Sequence, residues 1–419
     1  MAKTRNGLIT GLDIGTTKVC CFIARGGDDG GPRIIGIGHQ VAEGVRAGTI
    51  VDMAAAELAI RNAVHAAEEM AGETIRQVVV NLSGGSPISK TLRYEISIAG
   101  HEVGDADVQR LVGPGRANNE NESQELVHRL PIGFTIDGSR GIRDPRGMYG
   151  ERLGVNMHVI AAEQGAVRTL HTCVARCHLD VEAVAISPYV AGLASLVPDE
   201  MNLGATLIDM GGGTTSIAVF YDGHLVHADS LPLGGVHVTS DIARGLSTPM
   251  IHAERMKNLY GSAISSPSDD QEIIDVPLVG EEDRAEANHV PRSILVGIIQ
   301  PRLEETFELI RSRLQISGFD KIAGRRVVIT GGASQLQGVA ELASRILDKQ
   351  VRLGRPLKVS GLAEATNGPA FATCAGLLIF SDKQLSTAPA GRSLFRRRGA
   401  NEGAGGLIGR FGPWLRENF

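Results

Sequence analysis

The sequence lacks a hydrophobic run long enough to cross a membrane, since no stretch of about 18 or more apolar residues occurs in it. The N-terminal segment MAKTRNGLIT also lacks the charged and apolar halves of a secretory signal peptide. A strong excess of positive charge is absent as well, because the formal net charge is −5, which argues against a surface built for nucleic acid. These absences predict a protein whose body stays in the cytoplasm and binds no nucleic acid.

Cysteine is scarce, and five cysteines in 419 residues fit a reducing compartment. Cys20 and Cys21 are adjacent in a predicted strand, where their side chains point to opposite faces, so we interpret both as small core residues. The segment HTCVARCH (171–178) is similar to a metal site in composition. On a helix, however, its two histidines and its two cysteines fall on opposite sides, which excludes convergence on one ion.

The overall composition is that of a soluble globular protein, with 42% hydrophobic and 21% charged residues. A mass of 44.3 kDa is enough for two or three domains. Strand and helix patterns alternate along most of the chain, for example strands at 8–14, 17–25 and 33–39 followed by a helix at 53–71. This alternation predicts an α/β fold.

Two segments interrupt the alternation. Residues 83–165 contain short strands around a polar helix predicted near 104–128. Residues 234–319 are helical and polar, and Pro301 should kink or divide their long helix. The predicted organisation is therefore a first lobe (1–82 and 166–195), an inserted α+β subdomain (83–165), a second lobe (196–233 and 320–380), a second inserted helical or α+β subdomain (234–319), a flexible linker (381–404) and an amphipathic segment (405–419).

One turn occurs twice, as ITGLDIGTTKV (9–19) and TLIDMGGGTTSI (206–217). In a strand–glycine–strand hairpin, glycines let backbone N–H groups approach an anion, and the threonines add hydroxyl donors. An aspartate before each turn can hold a metal ion, directly or through water, against phosphate charge. Two facing hairpins would therefore clamp a polyphosphate. The predicted phosphate-binding residues are Asp13, Gly15, Thr16, Thr17, Lys18, Asp209, Gly211, Gly212, Gly213, Thr214 and Thr215, with Asp13 and Asp209 as the Mg²⁺ ligands.

A third glycine turn, TGGASQL (330–336), lies between a predicted strand and a predicted helix. There Gly331 and Gly332 would let a nucleobase or ribose pass close to the backbone, while the helix start offers free N–H groups. Each turn alone is weak support for a ligand site. All three, in this order, predict a nucleotide site.

The three turns resemble the first phosphate loop, the second phosphate loop and the adenosine loop of the actin–Hsp70–sugar kinase superfamily. The segments VVVNLSGG (78–85), VTSDIA (238–243), PRSIL (291–295) and GPAFATCAGLL (368–378) further resemble the FtsA family of bacterial cell-division proteins. The resemblance implies an actin-like or Hsp70-like two-lobed ATPase fold with an inserted SHS2-like subdomain, whose halves close over ATP and Mg²⁺. It also implies polymerisation, tethering of FtsZ filaments to the membrane at the division site, and recruitment of later division proteins.

One position departs from the ATP-splitting relatives. In Hsp70 chaperones a Glu precedes the Pro that opens the helix joining the halves, whereas here Ser187 precedes Pro188. A serine is a poorer water-orienting group than a carboxylate, so we expect at most slow hydrolysis.

The C-terminal segment has the pattern of a helix that lies in a membrane interface, with RRR (396–398) upstream to attract anionic lipid. Pro413 interrupts a continuous helix, and docking of the segment on its own domain is the alternative. A single short anchor would bind weakly, while a polymer of anchors would bind with high avidity. The predicted membrane residues are Leu407, Ile408, Phe411, Trp414, Leu415 and Phe419, with Arg410 and Arg416 at the edges.

The FtsZ C-terminal peptide, which the resemblance places nearest 234–319, would need cations beside a groove. Arg292, Arg302, Arg311 and Arg313 are candidates, although a solvated helix face explains them equally well. Two other functions compete with the membrane tether. One is a soluble sugar kinase or phosphatase, which needs a further catalytic carboxylate that the sequence does not display. The other is an actin-like pilus-assembly adaptor.

Overall fold

A computed structural model of the chain describes residues 7–26, 31–113, 123–280 and 288–387. The strands are β1 (Leu8–Ile14), β2 (Lys18–Gly26), β3 (Pro32–Val41), β4 (Val45–Arg46), β5 (Thr49–Ile50), β6 (Gln77–Leu82), β7 (Ile88–Ser97), β8 (Gln124–Ile136), β9 (Ser139–Ile142), β10 (Arg152–Glu163), β11 (Asp180–Ile186), β12 (Ala205–Met210), β13 (Thr215–Tyr221), β14 (His224–Leu231), β15 (Ile273–Val276), β16 (Asn288–Pro291), β17 (Arg326–Thr330) and β18 (Gln350–Leu353). The helices are α1 (Met53–Ala71), α2 (Asp105–Val112), α3 (Gln164–Arg176), α4 (Ser187–Ser195), α5 (Pro198–Leu203), α6 (Gly235–Gly245), α7 (Met250–Tyr260), α8 (Arg292–Ser317), α9 (Val339–Leu347) and α10 (Ala372–Thr387).

Two five-stranded sheets of the same topology form the centre of the molecule. Their strand orders are β11-β6-β1-β2-β3 and β14-β13-β12-β17-β18. In each sheet the first strand pairs antiparallel with the second and parallel with a later strand. The two copies of the glycine turn therefore occupy equivalent places, between the first and second strands of each sheet. This duplication explains why the chain contains the motif twice.

The first sheet is covered on both faces, so β2 is apolar and buried from Val19 to Ala24. Cys20 packs into a core that contains residues of both sheets, while Cys21 packs under α1 and α3, as the alternation of a strand requires. Both thiols are fully buried. The prediction that these cysteines are core residues is confirmed.

The segment between β6 and α3 forms its own four-stranded sheet, in the order β7-β10-β8-β9, with a small core around Leu111 and Met157. The polar helix expected near 104–128 is wrong in length. Helix α2 ends at Val112, and β8 already begins at Gln124 because its backbone pairs antiparallel with β10. A neighbouring strand thus overrides the local helix pattern of that sequence.

The second inserted segment contains α6, α7 and α8 with the hairpin β15-β16. Pro301 does not divide α8, which continues from Arg292 to Ser317. Proline removes the bond to the carbonyl of Gly297, and space is open around that glycine. Buried apolar residues such as Leu295, Phe307 and Leu314 on both sides hold the helix in place.

In the described part of the chain, no helix is long and apolar enough to cross a membrane. Helix α10 runs to Thr387, so residues 381–387 of the predicted linker are helical. The rest of the linker and the segment 405–419, with its predicted membrane residues, lie outside the described residues.

Helices α4 and α10 join the two sheets. Helix α4 is buried along its whole length, and α10 approaches so closely that a Cβ on Gly376 would lie 1.9 Å from the Val190 carbonyl oxygen. Only glycine permits this distance. The packing of the two sheets around a shared core therefore depends on residue 376.

Replacing Gly376 with Ala should destabilise the protein by about 1–3 kcal/mol, because the added methyl overlaps backbone that cannot move aside. Replacing Gly297, a helical glycine with open space around it, should instead stabilise by about 0.5–1 kcal/mol. Urea unfolding midpoints of both variants measure the difference. Equal midpoints for the Gly376 and Gly297 variants would show that α10 moves aside for the added methyl group without a loss of stability.

Candidate functional site

A cleft of about 600 Å³ lies where the three glycine turns meet. All of the predicted nucleotide-binding residues line it except Gly213. Gly213 instead packs against the opposite turn, since a Cβ there would lie 2.5 Å from Thr16 Oγ1 and 3.0 Å from Ala47 Cα. The structure thus brings the predicted residues together and gives one of them a packing role.

The two hairpin turns have the same internal geometry. The Gly15 N–H donates to the Lys18 carbonyl at 2.9 Å, and the Gly211 N–H donates to the Thr214 carbonyl at 2.8 Å. A Cβ at either glycine would lie within 3.0 Å of the accepting oxygen. Glycine is therefore required at the same point of both turns.

The two turns also contact each other, because a Cβ on Gly212 would lie 2.5 Å from Thr17 Cγ2. Within the described residues, the backbone N–H groups of Thr16, Thr17 and Gly212 donate to no protein acceptor. Such a hollow of unpaired N–H groups and hydroxyls fits the oxygens of a phosphate chain.

Asp13 is buried at the base of the cleft, and Asp209 beside it is half-buried. The pKa of Asp13 is raised to about 7, because the loss of hydration outweighs the attraction of Lys18 and the neighbouring Asp209 adds to the rise. The loss of hydration likewise raises the pKa of Asp209 to about 6, although a hydrogen bond from Thr373 (3.2 Å) opposes the shift. The raised pKa values show that Lys18 does not fully offset the negative charge of the two carboxylates. Hard oxygen ligands of this kind fit Mg²⁺.

The Lys18 side chain crosses the cleft without forming an ion pair with either aspartate. Its Nζ donates to the Ala370 carbonyl at 2.5 Å and lies 3.5 Å from the centroid of the Phe371 ring. These contacts hold the ammonium at the edge of the cleft, where a cation would extend the first phosphate clamp.

The third turn differs from its prediction in one respect. Gly331 has a φ of +88°, and a Cβ there would lie 2.4 Å from the Met210 carbonyl oxygen, so the glycine itself is required. The helix does not begin at the turn, however. A 3₁₀ segment (Gly332–Gln335) follows, and α9 begins only at Val339. Free N–H groups at this turn therefore belong to a short 3₁₀ segment.

Sequence reasoning missed several residues of α6 and α7 that line the cleft. The N–H groups of Gly235 and Val236 donate to the carbonyls of Gly211 and Gly212, at 3.0 and 2.8 Å, which fixes the start of α6 to the second turn. Glu254, Lys257 and Asn258 of α7 line the same cleft. Their only sequence signal was the polar stretch ERMKN within a helix. Such a stretch does not indicate that the helix lies against a turn far away in the sequence.

The candidate arginines for a partner peptide are engaged in ion pairs. Arg292 donates to Asp269 at 2.8 Å, Arg302 to Asp241 at 2.5 Å, and Arg311 to Glu308 at 2.7 Å. Arg313 lies 3.5 Å from Asp229. The structure does not gather these four side chains around one groove, and their role in peptide binding stays a prediction.

Two family models match the chain. "Cell division protein FtsA" matches residues 206–376, and "SHS2 domain inserted in FTSA" matches residues 84–161. The FtsA of Rhizobium meliloti (strain 1021) is 47% identical over 100% of this chain and 96% of the relative. The chain belongs to the FtsA family. Membership in FtsA supports a role in cell division.

Solved structures show the same fold at low identity. The "PilM-PilN type IV pilus biogenesis complex" superposes with a TM-score of 0.63 at 18% identity, over 89% of this chain and 98% of that chain. MreB5 of Spiroplasma citri bound to ADP gives 0.55 at 14% identity, over 91% and 99%. Both similarities concern the fold alone. The chain thus has the actin-like ATPase fold with an inserted SHS2 domain, as predicted.

Replacing Asp13 with Asn should stabilise the nucleotide-free protein at pH 8. A carboxyl whose folded pKa of about 7 exceeds its ordinary value favours the folded state at low pH and loses that contribution as pH rises through 7. Because Asn cannot ionise, the melting temperature should rise by about 2–5 °C at pH 8 and by clearly less at pH 5, which lies between the ordinary and the folded pKa of Asp13. Mg²⁺-dependent ATP binding should fall in the same variant.

Thermal unfolding without Mg²⁺ or nucleotide, followed by circular dichroism at both pH values, measures this effect. The exposed Asp270 offers a matched control, since its replacement with Asn removes a charge outside the cleft. A gain in the Asp270 variant equal to that of the Asp13 variant would contradict the assignment to the cleft.

Proposed function

We propose that this FtsA-family chain binds ATP with Mg²⁺, polymerises, tethers FtsZ filaments to the inner face of the cytoplasmic membrane at the division site, and helps recruit later division proteins. The observation that carries the proposal is the pair of equivalent glycine turns that face each other beside Asp13 and Asp209, two carboxylates whose pKa values are raised. When bound, Mg²⁺ would neutralise phosphate charge between Asp13 and Asp209. The N–H groups and hydroxyls of the turns would orient the phosphates, and Gly331 would let the nucleoside pass.

Hydrolysis should be slow at most. Of the three carboxylates that line the described cleft, Asp13 and Asp209 are the proposed metal ligands. The third, Glu254, pairs with Lys257 at 2.6 Å and accepts a bond from Thr239 at 2.5 Å, and these bonds hold its pKa below the ordinary value. A neutralised acceptor of this kind is a weak base toward water. The same observation disfavours a sugar kinase or phosphatase, because no further free carboxylate lines the described cleft.

Membrane attachment would depend on the segment 405–419. Full-length protein should sediment with anionic liposomes, and Mg·ATP should increase the bound fraction, because polymerisation multiplies weak anchors. A chain that ends at Gly406 should remain in the supernatant. Replacing Trp414 with Glu should act like the truncation, while replacing Glu417 with Gln should not reduce binding. Equal sedimentation of the full-length and truncated chains would overturn the tether.

The FtsZ C-terminal peptide would bind residues 234–319, where helix α7 exposes apolar side chains. Ile251 is 76% exposed and Leu259 is 60% exposed, and Arg255 lies between them on the same helical face. An apolar, acidic peptide fits such a stripe. The ion-paired Arg302 and Arg311 would add positive charge by exchanging their intramolecular carboxylates for those of the peptide.

Replacing Ile251 or Leu259 with Ser should weaken binding of the FtsZ C-terminal peptide about tenfold, since each exposed side chain would lose buried apolar area. Fluorescence polarisation with the labelled peptide measures the affinity. Leu203, which is 79% exposed in α5 outside the segment 234–319, is the matched control for replacement with Ser. Equal losses in all three variants would place the peptide elsewhere.

A further inference from the structure

Ser83 lines the cleft directly after β6, and it belongs to a small buried group of polar side chains. Its Oγ lies 2.9 Å from Asn81 Nδ2 and 2.7 Å from Ser187 Oγ. Asn81 Nδ2 also lies 3.1 Å from Ser187 Oγ, so the three groups form a closed triangle. Asn81 and Ser187 are only 2% and 3% exposed. Ser83 is therefore the member of the group that reaches the cleft.

The orientation of the Asn81 amide is fixed by the backbone. The Ile14 N–H donates to Asn81 Oδ1 at 2.6 Å, and only the amide oxygen can accept this hydrogen. The amide nitrogen must then face the two serines, and it is the donor toward both hydroxyl oxygens. Both hydroxyls are acceptors toward Asn81, whatever they do between themselves.

The hydrogen between the two serines can be assigned by counting acceptors. Ser187 begins α4, and in the described residues its hydroxyl has no acceptor other than Ser83. A buried hydroxyl hydrogen without an acceptor is costly, so Ser187 donates to Ser83. Ser83 Oγ thus accepts two hydrogen bonds, and both of its lone pairs are used. Its own hydrogen remains, and the open side of Ser83 is the cleft.

Ser83 also lies next to the first phosphate turn. A Cβ on Gly48 would lie 2.9 Å from Ser83 Cβ, and the Gly48 N–H donates to Thr16 Oγ1 at 3.0 Å. Through Ile14, Asn81 ties the same group to the residue between Asp13 and Gly15. The Ser83 hydroxyl is therefore held against the turn that would orient the phosphates, on the side of the first sheet.

We infer that Ser83 donates a hydrogen bond to the terminal phosphate of ATP, and that Asn81 and Ser187 position it as a donor only. This inference rests on the proposed ATP binding. A hydroxyl whose lone pairs are both occupied cannot accept a proton from an attacking water, but it can bind an anionic oxygen. Ser83 then discriminates ATP from ADP without promoting hydrolysis. Ser187 acts through Ser83 and does not contact the nucleotide.

The test compares the affinities of ATP and ADP, each with Mg²⁺, by isothermal titration calorimetry of the full chain. Replacing Ser83 with Ala should weaken ATP binding about tenfold, the usual effect of one bond to a charged group, and change ADP binding less than about twofold. Replacing Ser187 with Ala removes the hydrogen bond that positions Ser83 and should lower the ATP-to-ADP ratio in the same direction, but by less than the Ser83 replacement. Unchanged ADP affinity also shows that each variant is folded.

The outcomes separate the inference from the proposed function. If the original chain binds neither nucleotide, the proposed function fails and the inference fails with it. If the original chain binds ATP but the Ser83 variant keeps its ATP-to-ADP ratio, only the inference fails. If the Ser83 variant instead hydrolyses saturating ATP more slowly with unchanged ATP affinity, Ser83 accepts a proton from water, and the donor assignment is wrong.

Discussion

The arrangement of the cleft depends on direct contact between two glycine-rich backbones. Gly212 packs on Thr17 and Gly213 packs on Thr16, at distances that exclude a Cβ at either glycine. Each turn joins the first and second strands of its sheet, and only sheets of equal topology bring the two turns face to face. The contact places Asp13 and Asp209 in one cleft. The contact therefore determines where the two turns could hold phosphate. It also brings together two carboxylates whose negative charge no nearby cation among the described residues fully offsets.

The incomplete neutralisation of Asp13 and Asp209 links cation binding to the stability of the fold. Burial raises the pKa of both aspartates above the ordinary value, so near neutral pH their ionised forms oppose folding. A cation that binds only the folded state removes this cost and stabilises the closed cleft by mass action. The same carboxylates that weaken the nucleotide-free protein would thus make Mg·ATP the ligand that holds its halves together. Such a site favours retention of the nucleotide.

The sequence alone was sufficient for the features that depend on local chemistry. The repeated Asp–glycine–Thr pattern predicted both hairpins, and the actin-like fold with its inserted SHS2 domain followed from the resemblance and is confirmed. What failed depended on distant partners. The segment 124–128 looked helical but pairs with β10, and α8 continues through the exposed Pro301 because apolar residues of the helix on both sides of it are buried. The sequence did not predict that Glu254 and Lys257 line the cleft, since the pattern of a polar helix does not show which turn the helix will face.

Ser187 bears on the expected rate of hydrolysis, although it does not line the cleft. The sequence argument rested on Ser187 as a poor replacement for a water-orienting Glu, yet Ser187 is buried and bonded to Asn81 and Ser83. Its effect must pass through the hydroxyl that reaches the cleft. A donor in the same cleft as Glu254, whose charge Lys257 offsets, would bind phosphate and leave water without an acceptor. ATP would then act as a durable structural ligand. Durability would suit the proposed polymer, whose many weak anchors would have to stay on one membrane at once.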